Sequence, residues 1–232
     1  MGLAYLIRKK LNLLFGPSTF AALVGARISP HWIPASAKHL AEIAIVDDNP
    51  DDFPVAELRK AAYNLRVYKT VGLNDIPRLA LYDVVFLDIH GIVKDDTDTG
   101  GLNVITQLRA INPFQKICAV SSKKFDPTAT AFFKQADDVQ NKPMRSQKCE
   151  ELIDTLSREK LDPNALAKFL DTHAQQLSFW RRKKLVRAVE TFAASEAEPR
   201  LFPGFDDALD SNRESLKLVV ADFIRVLRHA AS

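Results

Sequence analysis

Hydrophobic positions in the middle of the chain fall into short runs with strand character, at 43–46, 65–70, 84–87, 116–120 and 138–140. Between them lie segments long enough for helices, at 52–64, 74–82, 101–111, 127–136 and 146–158. The first, third and fourth runs are nearly continuous in Val, Ile, Leu, Ala and Phe, the signature of strands covered on both faces. Strands alternating with helices predict an α/β fold, a doubly wound, five-stranded parallel sheet.

The pattern changes on either side. Leu3, Ile7, Leu11 and Leu14 recur at helical spacing while Arg8, Lys9 and Asn12 face elsewhere, which predicts an amino-terminal amphipathic helix. Such a helix packs on its own protein, on a second copy as a homodimer, or against a membrane surface. Asn12, Gly16 and Pro17 break the apolar run, which argues against a secretion signal. From Asp162 onward only the helical period remains. Asp162-Pro163 is a helix start, a capping carboxylate followed by a proline at the first helical position. The apolar arcs of Leu166, Phe169, Leu170 and Leu177 and of Leu185, Val186, Val189 and Phe192 differ by about 140° at 100° per residue. One straight helix cannot bury both, so a break is expected near residues 178–181. A last helix opens on a capping box, Ser211 to Glu214, with an apolar stripe at Leu216, Val219, Val220, Phe223 and Leu227. The expected organisation is an amino-terminal helix and linker at 1–40, an α/β domain at 41–160 and a helical output or interaction segment at 161–232.

Charge and composition add little. A formal charge of +3 over 232 residues does not by itself argue for nucleic acid. Cys118 and Cys149 are too few and too far apart in sequence for a metal knuckle or a disulfide framework, so a reducing, cytoplasmic compartment is expected.

The carboxylates carry the chemistry. Asp47 and Asp48 end the first strand, Asp88 ends the third, and in a doubly wound sheet of flavodoxin-like order 2-1-3-4-5 these ends are neighbours. Three converging carboxylates repel unless a cation lies among them, and Mg²⁺ suits such oxygen donors. The fourth strand ends at Ser121 and the fifth at Asn141-Lys142-Pro143, which brings a hydroxyl and an ammonium to the same rim. Together these groups can accept a phosphoryl group, with Asp88 as nucleophile. Asp51 and Asp52 are expected to cap the first helix of the sheet domain.

"IAIVDDN", "VVFLDI", "AVSS" and "QADDVQNKP", in this order, resemble the receiver domain of two-component response regulators over roughly half the chain. That resemblance implies phosphorylation of Asp88 by a histidine kinase, a phosphotransfer protein or a small phosphodonor. It implies Mg²⁺ held by Asp48, Asp88, the backbone carbonyl of His90 and Asp47. Ser121 and Lys142 would report phosphorylation to the flanking helices, across a Lys142-Pro143 bond that is often cis. There are departures: the 92–99 loop is long and adds Asp95, Asp96 and Asp98, read as solvated acids, and Val139 replaces the aromatic residue whose ring swings in that family. His90 stands where it can orient or obstruct a hydrolytic water.

"FLDIHGIV" also imitates the opening of haloacid-dehalogenase-like phosphatases, but His90 replaces their second aspartate, and the acid pair precedes rather than follows the lysine. A receiver fold that no longer accepts phosphate is a further alternative. "FWRRKKLVR" opens another, a DNA-binding transcriptional regulator using the carboxyl-terminal helices. Lys183, Lys184 and Arg187 share an arc of about 100° and read more simply as a solvated basic face, with Arg182 toward the apolar side. No helix-turn-helix is evident.

Overall fold

The structure, a computed structural model, describes residues 16–29, 40–94, 96, 99–122, 127–202 and 214–231. The expected amphipathic helix through Leu3 to Leu14, Asp95, Asp98 and the Ser211 end of the last capping box lie outside the described residues. Backbone contacts divide the chain into two compact units, one of Pro34–Lys160 and one of Met1–Ile33 with Leu161–Ser232.

In the first unit, β1 (Glu42–Val46), β2 (Asn64–Tyr68), β3 (Val84–Asp88), β4 (Lys116–Ser121) and β5 (Asp138–Asn141) form one sheet in the order β2-β1-β3-β4-β5, all parallel. The expected order is therefore observed. Alternation along each strand splits the core in two. Ala44, Val46, Val85 and Leu87 pack on one face with Leu79, Val104 and Leu108. Ile43, Ile45, Val84 and Phe86 pack on the other with Leu58, Leu152 and Ile153. The helices of this unit are α2 (Val55–Lys60), α3 (Ile76–Leu79), α4 (Gly100–Ile111), α5 (Pro127–Phe133) and α6 (Ser146–Lys160); α1 belongs to the second unit.

Two helices fall well short of what their periodicity predicts, each beside a proline, and α5 stops three residues early at Phe133. Pro54 splits the 52–64 segment into a 3-10 turn at Pro50–Asp52 and α2, and Ala62, at φ 64°, closes α2 in the left-handed conformation. Neither Asp51 nor Asp52 caps a helix: both lie inside the 3-10 turn, and the α2 N-cap is Pro54, which has no capping side chain. Pro77 likewise leaves a 3-10 turn at Leu73–Asp75 ahead of the four-residue α3.

Acids at the amino-terminal edge of the sheet are tied to the backbone beside them. Asp83 accepts from the Glu42 amide at 2.8 Å. Asp137 accepts from the Ile117 amide (2.8 Å), Arg109 Nη2 (2.6 Å) and Lys116 Nζ (3.3 Å). Burial pushes the Asp137 carboxyl up, but Arg109, the Ile117 amide and Lys116 together outweigh it and hold it below its ordinary range. A depressed folded-state pKa stabilises above the unfolded value and is lost as pH falls through the folded one. Asp137→Ala should therefore lower stability by about 2 kcal/mol at neutral pH, and its deficit should narrow on acidification because the unaltered chain weakens. Urea titrations across pH check both the size and the sign.

The second unit contains α1 (Phe20–Arg27), α7 (Pro163–Ala174), α8 (Phe179–Ala193), a 3-10 turn at Pro199–Leu201 and α9 (Glu214–Ala231). Asp162 caps α7 through the Asn164 amide, as its sequence predicts, and the expected break falls between Ala174 and Phe179. Asp171 on α7 accepts from the Phe20 and Ala21 amides at the α1 amino terminus, Phe20 stacks edge-on against Phe223 at 5.5 Å, and Arg27 pairs with Glu190. Arg228 donates to the Phe192, Ala193 and Ala197 carbonyls, closing the end of α8. The basic face of α8 is not uniformly solvated: Lys184 is exposed and Arg187 half-buried, whereas Lys183 is buried with its ammonium 5.6 Å from the Phe179 ring centre. Among the described residues no helix is long and apolar enough to cross a membrane.

Candidate functional site

Parallel pairing carries β1, β3 and β4 to a common carboxyl-terminal rim. Val46 lies opposite Leu87, and Asp88 opposite Val120, so Asp47 and Asp88 leave adjacent strands at one level and Ser121 follows one residue further along β4. Asp47 is fully buried, Asp88 is 5% exposed and Ser121 3%. Asp48 is exposed, yet one oxygen from each of Asp47, Asp48 and Asp88 can be chosen so that all lie within 4.8 Å of one another.

Lys142, just past β5, closes the group. Its ammonium donates to Asp47 Oδ2 at 2.8 Å and Asp88 Oδ2 at 2.6 Å, and lies 3.7 Å from Asp52 Oδ2. The lysine side chain is 5% exposed, so the contacts are shielded from solvent. Burial alone lowers the lysine pKa, but hydrogen bonds to Asp47 and Asp88 reverse this and raise it above its ordinary value. Burial raises the Asp47 carboxyl, and the Lys142 hydrogen bond offsets only part of that rise. The remaining Asp47 oxygen accepts from the Asn49 amide, and Asp88 Oδ1 accepts from the Ile89 amide. The Lys142 amide donates to the Ser121 carbonyl, and the Lys142-Pro143 bond is cis.

Three residues belong here that sequence reasoning placed elsewhere or passed over. Asp52 is drawn toward Lys142 by the short turn after β1 rather than toward a helix end. Gly91 sits at φ +73°, and a Cβ there would fall 2.4 Å from Asp48 Oδ2. Gly101, in the first turn of α4, approaches the end of β3 so closely that a Cβ would lie 2.5 Å from the Asp88 carbonyl oxygen and 2.5 Å from Ile89 Cα. An isolated glycine three residues after a strand-end acid is the available signal for Gly91.

The other expectations divide. Asp96 is not aimed at the acid cluster: it accepts from the Thr99 amide and hydroxyl and from Asn103, fastening the start of α4. Val139, 45% exposed on β5, has no ring to swing. His90 is half-buried on the turn between Asp88 and Gly91.

Three clustered carboxylates are hard oxygen donors suited to Mg²⁺, and the missing Cβ of Gly91 leaves space against Asp48. The residues present therefore fit a divalent cation.

No protein-family model matches the sequence, and no curated protein matches it. In structure the chain is similar to response regulators. NtrX from Brucella abortus, solved with ATP, aligns at a TM-score of 0.46 and 19% identity over 68% of this chain; the match spans 36% of NtrX. A two-component response regulator from Clostridium difficile aligns at 0.41 and 17% over 51% of this chain and 96% of its own. A Burkholderia pseudomallei response regulator, solved with a phosphorylated aspartic acid, calcium and citrate, aligns at 0.40 and 18% over 63% of this chain and 97% of its own. What the site can do follows from its own geometry.

Proposed function

We propose that Pro34–Lys160 is a receiver-type module of a two-component response-regulator-like protein, phosphorylated on Asp88, whose state governs contacts of the flanking helices. The observation that supports this most is Lys142 Nζ held between Asp47 Oδ2 and Asp88 Oδ2 at a buried sheet rim. A carboxylate oxygen of Asp88 bonds to phosphorus as the P–N bond of a phosphohistidine, or the P–O bond of a small phosphodonor, breaks. The leaving nitrogen or oxygen takes the bonding pair and, where its basicity requires, a solvent proton. Lys142 moves its hydrogen bond from the Asp88 carboxylate to a phosphoryl oxygen, and the Ser121 hydroxyl donates to another. Water later attacks phosphorus, the P–O bond to Asp88 breaks and inorganic phosphate leaves; His90 orients or excludes that water.

Mg²⁺ would be held by Asp48, Asp88, the His90 backbone carbonyl and Asp47, and when bound it neutralises charge on the phosphoryl oxygens. The phosphoryl donor in the cell would be a histidine kinase or phosphotransfer protein. Incubating the full chain with acetyl phosphate and Mg²⁺ should add a single phosphoryl mass, lost in Asp88→Asn and on omitting Mg²⁺. An intact-mass spectrum without an adduct under all conditions would leave a receiver-like scaffold.

A further inference from the structure

The corner between α7 and α8 has no part in the phosphoacceptor reading. From Gln175 to Arg181 every residue except the half-buried Leu177 is exposed, and the bulkiest are adjacent: Phe179 is 48% and Trp180 54% exposed. Their rings meet edge to face, 5.3 Å apart, so the two form one apolar knob.

Cations crowd this knob in the sequence. Between Asp171 and Glu190 the sequence has no carboxylate but carries Arg181, Arg182, Lys183, Lys184 and Arg187. The two bounding acids are engaged elsewhere, Asp171 with the α1 amides and Glu190 with Arg27. Among the described residues no acid pairs with Arg181, Lys184 or Arg187. Cations in the first turns of a helix also oppose its dipole, so this arrangement is unfavourable for α8 in isolation. At 100° per residue Trp180, Lys184 and Arg187 share an arc of about 60°, with Arg181 beside it.

We propose that this corner docks on an anionic phospholipid surface, Phe179 and Trp180 entering the headgroup region while Arg181, Lys184 and Arg187 meet lipid phosphates and carboxylates. Aromatic rings at the bilayer interface bury apolar area and keep the indole N–H wet, and each nearby cation adds attraction to anionic lipid. A nucleic-acid track fits less well. Beyond Arg187, α8 carries Glu190 and no further cation, whereas a phosphate backbone asks for an extended basic strip.

The test uses the full chain and vesicles of phosphatidylcholine, alone or mixed with phosphatidylserine. With Trp32→Phe leaving Trp180 as the single tryptophan, emission should shift to the blue on mixed vesicles and stay unchanged on phosphatidylcholine. In co-sedimentation, Lys184→Glu and Arg187→Glu should each weaken partitioning about fivefold or more, and Trp180→Ala should weaken it with circular dichroism unchanged. Binding that survives all three substitutions places the contact elsewhere, for instance on the amino-terminal segment, and overturns the proposal. So does no binding to mixed vesicles, or binding of a DNA oligonucleotide through these residues in its place. None of these outcomes bears on Asp88, which the phosphodonor experiment tests separately.

Discussion

Lys142→Met should lower stability by about 3–5 kcal/mol in the absence of divalent cations, the size expected when one partner of a buried ion cluster is removed. The lysine is the counter-charge common to two buried carboxylates, one of them fully inaccessible, at 2.8 and 2.6 Å. Without it Asp47 and Asp88 face each other across a shielded site, and one must take a proton or draw in water. Asp47, whose carboxyl burial already raises, rises further. A folded-state pKa above the unfolded value makes the loss complete at neutral pH and progressively smaller as pH falls through the folded value. The Lys142→Met deficit therefore closes on acidification because the variant recovers, whereas the Asp137→Ala deficit closes because the unaltered chain declines. Two further measurements separate electrostatics from lost packing. Adding Asp88→Asn to Lys142→Met should restore part of the stability, and so should Mg²⁺, which places positive charge among the same carboxylates. Urea curves that coincide with those of the unaltered chain would show that Lys142 does not neutralise these acids.

How much of this was legible in the sequence depends on whether a residue's role is set locally. Ile43 to Val46 and Val84 to Leu87 are apolar on both faces, and their shortness, β-branched content and flanking turn residues make them interior strands rather than buried helix. Once those strands are parallel neighbours, Asp47 and Asp88 meet at one rim whatever the loops do. Lys142 and Ser121 follow for the same reason. Helix lengths were harder, because α2 and α3 are cut by prolines inside otherwise helical patterns, and Ala62 ends α2 where composition favours continuing it. Asp52 was misread because an acid beside a proline and ahead of a helix is usually a cap; its place near Lys142 depends on a loop after β5 some ninety residues away. Asp83 and Asp137 show why an acid's type alone is not informative. They also sit at strand ends, but at the opposite edge, where Asp83 accepts from the Glu42 amide and Asp137 from the Ile117 amide, Arg109 and Lys116, away from the acid cluster.

The two glycines should separate the shape of the site from its affinity for a cation. Alanine at 101 would put its Cβ within 2.5–2.7 Å of the Asp88 carbonyl oxygen and of Ile89 Cα and oxygen, all main-chain atoms of the strand end. None can rotate away, so α4 must lift from β3, and the 3.1 Å bond from the Gly101 amide to the Ile89 carbonyl stretches with it. Gly101→Ala should cost about 2–3 kcal/mol, as overpacking at a rigid contact does, and should slow phosphorylation because Asp88 moves with its strand. At 91 the obstacle is a side chain. The new Cβ would meet Asp48 Oδ2 at 2.4 Å, and that exposed carboxylate can swing outward, leaving mainly the strain of φ +73° on an alanine, about 1 kcal/mol. An Asp48 turned outward no longer faces Asp47 and Asp88. Gly91→Ala should therefore fold nearly as well as the unaltered chain while binding Mg²⁺ about 10–100-fold more weakly, the range for disturbing what orients a ligand. Calorimetric Mg²⁺ titration beside urea unfolding reads both quantities. If Gly91→Ala kept full Mg²⁺ affinity, Asp48 would not be a ligand, and the cation would rest on Asp47, Asp88 and main-chain oxygen alone.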